Sequence, residues 1–265
     1  MIKLIKYIIK KILNSKNISF FTNVNNDNLY KLIKLFHPFD LGYDLIRIGD
    51  RSDGGYLIPN CLKDVAFCFS IGVDDKISFE QDLFNRGIKS FIADYSQNSD
   101  KIPKKFSFEK KYIKSFNSEI DLNINDWIKS KKNIIKKENL LFQIDVEGFE
   151  YEIINCISED NLDQIKILII EFHDLEYSGN KILFQIIESA MKKILNKFDV
   201  AHIHANNWKD QSIVNKYKFP SNLEVTFLNK KFVKSKSKVK NLPHKLDFKN
   251  VRNKVDIKLE TYWYN

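Results

Sequence analysis

The chain has 265 residues, 43% hydrophobic and 29% charged, with a formal net charge of +9 and a pI near 9.2. This length and composition bury a full core in one domain, which excludes a disordered chain and a small disulfide-held scaffold. The three cysteines, Cys61, Cys68 and Cys156, lack zinc spacing and leave one over after any pairing, so a reduced cytoplasmic protein with inert thiols is expected.

Residues 1–13 place Ile2, Ile5, Ile9 and Ile12 on one helical face, with Lys3, Lys6 and Lys10 elsewhere on the wheel. Lysines interrupt every apolar run, so neither a spanning helix nor a signal-peptide core is present. Such a face packs on its own domain or on a second copy, giving a homo-oligomer. The alternative is peripheral contact of residues 1–15 with the anionic inner face of a membrane. The remaining lysines are scattered, as compositional bias gives; anionic partners are the other reading. No nucleic-acid motif accompanies them, so no nucleic-acid partner is expected.

An Asn-rich break at 23–28 precedes a helical pattern from Leu29 to Phe36, which stops before His37-Pro38 because the residue preceding proline is pushed from helical geometry. Residues 1–40 read as an N-terminal helical extension and 41–265 as one domain. Strand patterns follow at 44–49 and 55–58 around the turn Asp53-Gly54-Gly55, then at 65–71, 90–93, 111–114, 140–144, 167–170, 200–204 and 223–228. Helical spacing at 79–86 and 182–197 separates some of them. Strands alternating with helices predict an α/β fold with a doubly wound, mostly parallel sheet.

Ligands bind such sheets outside the carboxyl ends of the strands. At the first such end, Ser70-Ile-Gly72-Val-Asp74 precedes a helix, and a glycine there lets a ligand approach the backbone. A plain turn explains it equally. The G-x-G-x-x-G fingerprint is absent, which argues against a dinucleotide. Asp94 closes the next strand about 20 residues on, where nucleotide-binding folds grip ribose hydroxyls.

Leu140 to Ile144 is an apolar run that delivers Asp145, followed by Glu147, Gly148 and Glu150 in a turn and helix start. Acidic residues suit a helix N-terminus, and Glu150 is expected to do only that. Glu171 and His173 share a side at the next strand end, about 4.8 Å from the Asp145 strand if the two are neighbours. His202 and His204 also face one way and lead into Asn206-Asn207-Trp208, amides suited to hydroxyl-rich ligands. Asp145, Glu171, His173 and His204 fit either acid–base chemistry or a divalent metal, and spacing does not choose between them.

Taken together, these segments resemble the FkbM-like family of S-adenosylmethionine-dependent methyltransferases. The likeness is closest at Phe142-Gln-Ile-Asp145-Val-Glu147-Gly148-Phe-Glu150-Tyr. It extends to Arg47-x-Gly49-x-x-x-Asp53-Gly54-Gly55-Tyr56, Ser78-Phe-Glu80, Glu171-Phe-His173, His202-Ile-His204 and the tail at 242–250. The resemblance implies a seven-stranded Rossmann-like sheet whose last strand is antiparallel. It also implies S-adenosylmethionine as cofactor, with Ser70, Gly72 and Asp74 lining its methionine and ribose, Asp94 holding the ribose hydroxyls and Asp145 near the sulfonium.

The expected reaction is O-methylation of a sugar hydroxyl on a glycan, glycolipid or nucleotide-activated sugar. His173 is the first choice of base and His204 the second, with Asp145 or Glu171 orienting the imidazole. Asn206, Asn207 and His202 are expected to bind substrate. Rival readings are a metal-assisted hydrolase and an inert glycan- or membrane-binding module.

Overall fold

The computed structural model describes residues 23–74, 76–135 and 139–265. The basic helix expected at 1–13, with the membrane and oligomer contacts assigned to it, lies outside the described residues. Among those described, no helix is long and apolar enough to cross a membrane.

Seven strands make the central sheet: β1 (Val65–Ile71), β2 (Lys89–Ala93), β3 (Ser107–Glu109), β4 (Asn139–Ile144), β5 (Ile165–Phe172), β6 (Phe198–Asn206) and β7 (Asn222–Asn229). Their spatial order is β3-β2-β1-β4-β5-β7-β6. Only β7 runs antiparallel to its neighbours, as expected for the last strand. The order reverses between β1 and β4, which makes their carboxyl ends the switch point where open α/β sheets bind ligands.

Period-two alternation assigns the two faces of this sheet. Phe69, Phe142, Ile170, Phe172, Val225 and Phe227 point into one large core. Helices α1 (Asn26–Leu35), α3 (Ile124–Ser130), α4 (Glu150–Cys156) and α5 (Lys181–Lys197) contribute to it. α5 shows why: Phe184, Ile187, Ala190, Met191 and Ile194 recur at helical spacing, and Asn180 caps its first turn. α1 joins the same core through Leu29, Leu32 and Ile33, and Phe36 packs edge-on against Phe172 and Trp263.

The opposite face is different. Next to the apolar Cys68, Leu141, Ile167 and Ile169 it carries Ser70, Gln143, Glu171, Glu224, Thr226, His202 and His204, all buried. Helix α2 (Ser78–Asn85) and an antiparallel hairpin of Leu45–Gly49 and Gly55–Pro59 cover it. The hairpin stands apart from the central sheet. Thr226 Oγ1 donates to the Leu57 carbonyl at 2.7 Å and ties the two together.

One expected strand is displaced. Tyr112–Lys114 pairs with Asp121–Asn123 in a separate two-stranded ribbon, while Ser107–Glu109 takes the edge of the sheet. A three-residue edge strand with one apolar side chain carries too little pattern to announce itself.

Candidate active site

The carboxyl ends of β1 and β4 touch at Gly72. A Cβ on this glycine would lie 1.7 Å from the Asp145 carbonyl oxygen, and φ is +75°. The close approach expected here of a ligand is thus made by the protein's own chain, and it brings the Gly72 turn against Asp145. Above this junction opens a cavity of about 700 Å³ lined by Gly72, Asp74, Asp94, Asp145 and Glu147, among others. Tyr112, Ile113, Ile120 and Phe149 give it apolar surface, interleaved with Lys111, Lys114 and Asp121. The size falls in the range of small-molecule sites.

Asp94 lines this cavity but its carboxylate is engaged. Oδ2 accepts from the amides of Val73 (3.0 Å) and Asp74 (3.2 Å), and Oδ1 from the amide (2.8 Å) and hydroxyl (2.7 Å) of Ser96. These donors occupy its four acceptor directions. Asp94 therefore shapes the turn that bears Gly72 and Asp74, and a ribose hydroxyl would reach it by displacing the rotatable Ser96 hydroxyl.

Ser70 does not line the cavity, contrary to expectation. It is fully buried, with its hydroxyl between Glu80 Oε1 and Gln143 Oε1, 2.8 Å from the latter. Alternation sends Ser70 into the polar face of the sheet, so it acts on the cavity only through Glu80 and Gln143, which do line it. One hydroxyl proton cannot serve two acceptors, and the network closes when Glu80 carries a proton. Burial pushes the Glu80 carboxyl up to about 7, with the Ser70 hydrogen bond opposing. Between about pH 4.5 and 7 the unfolded chain releases this proton while the folded one keeps it, so stability falls with rising pH by up to about 3 kcal/mol. Glu80→Gln should match the wild type near pH 5 and exceed it near pH 8 in denaturant unfolding. Parallel pH profiles would refute the protonated Glu80.

A second, polar cavity of about 180 Å³ adjoins the first and shares Asp53, Asp145 and Glu147 with it. Here the structure gathers Asp145, Glu171 and His173 as expected. His173 Nε2 lies 3.7 Å from Asp145, 3.5 Å from Glu147 and 3.8 Å from Glu171. Nδ1 is 3.4 Å from Glu150 Oε1, attraction between charges without hydrogen-bond geometry. Burial alone would lower the imidazole pKa, but Glu150, Glu171 and Asp145 prevail and raise it to about 10. At that value His173 is an imidazolium at neutral pH among four carboxylates, a state in which it orients charge rather than taking up a proton. Asp145 shifts well above the usual carboxylate range through burial and the Glu171 charge, with His173 opposing.

Glu150, expected only to meet a helix dipole, is fully buried and accepts from the amides of His173 (2.6 Å) and Gly148 (2.9 Å). It fastens the β4 turn to the end of β5. Glu171 accepts from Asn206 (2.9 Å) and Asn222 (3.0 Å) and sits opposite Glu224 across β5 and β7. Among the described residues, two overlapping trios have geometry fit for a divalent ion: Asp145, Glu171 and His173, and Asp53, Glu171 and Glu224.

His202 and His204 line neither cavity. They lie inside β6, where His202 Nε2 meets Asp247 Oδ1 at 2.8 Å and His204 Nδ1 lies 3.8 Å from Asp247 Oδ2. The C-terminal tail covers them, and burial lowers the His204 pKa. His204 as second base, His204 as metal ligand and His202 as substrate contact are thus corrected: these histidines fasten the tail. Asn207 does the same, donating to the carbonyls of Val251 (2.9 Å) and Val255 (3.2 Å). Asn206 does line the polar cavity, with its amide engaged by Glu171 and by the Trp208 amide.

A doubly wound sheet, a ligand-sized cavity at its switch point and carboxylates on the adjoining strand end define a Rossmann-like ligand-binding domain. A model of the FkbM methyltransferase domain matches residues 58–204, more than half of the chain. The chain belongs to that family and is an S-adenosylmethionine-dependent methyltransferase. Among solved structures, the fibrillarin/Nop5p complex aligns over 63% of this chain and 73% of that chain, with 10% identity and a TM-score of 0.37. The Methanococcus jannaschii fibrillarin pre-rRNA processing protein aligns over 71% and 83%, with 10% identity and a TM-score of 0.36. No curated relative matches the sequence.

Proposed function

We propose that the protein O-methylates a hydroxyl of a sugar ring in a glycan, glycolipid or nucleotide-activated sugar, holding the methyl donor in the larger cavity and the acceptor in the polar one. The observation that supports this most is the wall the two cavities share, built from Asp53, Asp145 and Glu147. The larger cavity fits S-adenosylmethionine in volume, in its position at the switch point and in combining apolar with charged lining. Gly72, Asp74 and Asp94 would hold it at the strand ends, and the apolar surface would take its base. When bound it supplies a methyl group already activated on a sulfonium.

The remaining work is to place an oxygen and remove its proton. Asp145 stands on the shared wall, and its raised pKa makes it a better proton acceptor than an ordinary carboxylate. His173, held as an imidazolium, keeps Asp145 and Glu171 oriented and offsets their repulsion. Asn206 and Asn222 orient Glu171, whose carboxylate is an acceptor for a substrate hydroxyl.

Calorimetry with S-adenosylmethionine, followed by transfer of its labelled methyl group to sugar acceptors, tests this reading. Binding and transfer are expected. Binding without transfer would favour an inert module, and metal-dependent hydrolysis without donor binding would favour a hydrolase.

A further inference from the structure

The polar cavity is strongly biased in charge. Asp53, Asp145, Glu147, Glu171 and Asp174 line it, against His173 and Lys209. His173 already sits among four carboxylates, and Lys209 lies 3.9 Å from Glu176. The Asp174 side chain makes no hydrogen bond or ion pair among the described residues, although Asp174 opens the turn Leu175–Tyr177. Among the described residues the Glu147 carboxylate contacts His173 alone, and its side chain is 89% exposed.

Both residues hold left-handed backbone, with φ of +51° at Glu147 and +62° at Asp174. Five non-glycine residues do so among those described, and Asp74, Glu147 and Asp174 are the three that line the cavities. Glycine would adopt this conformation more easily. Two acidic residues in left-handed backbone at one rim, Asp174 without a side-chain partner among the described residues and Glu147 facing only the edge of His173, point to a use for their charge. The rim also carries the indole of Trp208, 58% exposed, a flat apolar surface for the C–H face of a ring.

We propose that this cavity selects its acceptor by charge: it admits a ring that is neutral or bears an ammonium group and rejects a ring that itself bears a carboxylate or phosphate, with Asp174 and Glu147 setting the preference. This rests on the polar cavity being the acceptor site. A unit negative charge brought to about 4 Å from one uncompensated carboxylate is disfavoured by a factor of about 10²–10³ at the dielectric of a protein surface. The cavity volume equals that of about six waters, so one ring enters and the rest of a glycan or a nucleotide stays outside.

The test measures kcat/KM for methyl glucoside, its 2-amino analogue and its uronate, in the wild type and in Asp174→Asn. Asparagine also accepts left-handed backbone, so the variant keeps the fold. The wild type is expected to disfavour the uronate against the neutral ring by at least about 10²-fold, and Asp174→Asn to narrow that ratio about tenfold. A structural role alone would leave the ratio unchanged. Equal rates for all three rings, an unaltered ratio in the variant, or loss of the preference on adding Mg²⁺ would overturn the inference. No transfer to any ring would overturn the acceptor reading itself, and this inference with it.

Discussion

Asp145→Asn should lower turnover by about 10²–10⁴ while leaving S-adenosylmethionine affinity within a few-fold. The substitution keeps shape and removes the proposed proton acceptor from the wall between the two cavities. The same change should leave thermal stability intact or raise it. Asp145 is a half-buried carboxylate beside Glu171, and its raised pKa says that its charge costs free energy in the folded state. A catalytic loss with no stability loss is the signature of a group kept for chemistry. Steady-state rates, calorimetry and melting on one preparation separate the two effects. Unchanged turnover would remove Asp145 from the reaction.

Gly72→Ala should destabilise the fold by about 3–5 kcal/mol, a fall in melting temperature of about 10 °C for a chain of this size. The added methyl would meet the Asp145 carbonyl oxygen at 1.7 Å and its carbon at 2.8 Å, contacts with backbone that no side-chain rotation relieves. Gly87→Ala is the control. It shares the left-handed backbone, with φ +85°, but a Cβ there meets nothing within 4 Å. Its cost is that of the conformation alone, about 1–2 kcal/mol. Equal losses in the two variants would show that the β1–β4 junction is looser than the structure has it.

The parts of this molecule legible in its sequence are those written in contiguous residues. The run from Leu140 to Ile144 declares a buried strand, and the acidic residues behind it declare its functional end. Gly72, Asp145, Glu171 and His173 are found this way, and the structure brings them together. The rest of the site is assembled from distant segments. Asp53 comes from the hairpin, Glu224 from the middle of β7, and Asn250 from the tail, where it donates to Glu224 at 2.6 Å. Nothing local joins them.

One signal was available. β7 reads Asn222-Leu-Glu224-Val-Thr226-Phe, a strict alternation in which every second residue is polar, yet all of it is buried. β6 repeats the pattern with His202, His204 and Asn206. Polar alternation normally marks a solvent face. Here the C-terminal tail and the hairpin cover it, and that is why His202 and His204 resemble site residues while serving the packing of the tail. His173 shows a different limit: its place at a strand end is readable, but its charge state depends on Glu150 and Glu171 closing around it in three dimensions.

The central claim is that the cavity above Gly72 holds S-adenosylmethionine with its reactive end at the Asp145 wall. Calorimetric titration of the wild type and Asp145→Asn with S-adenosylmethionine, each followed by a methyl-transfer assay, tests it most directly. The prediction is one site per chain in both proteins, with transfer only in the wild type. A chain that binds no S-adenosylmethionine, or an Asp145→Asn variant that transfers methyl groups at the wild-type rate, would contradict it.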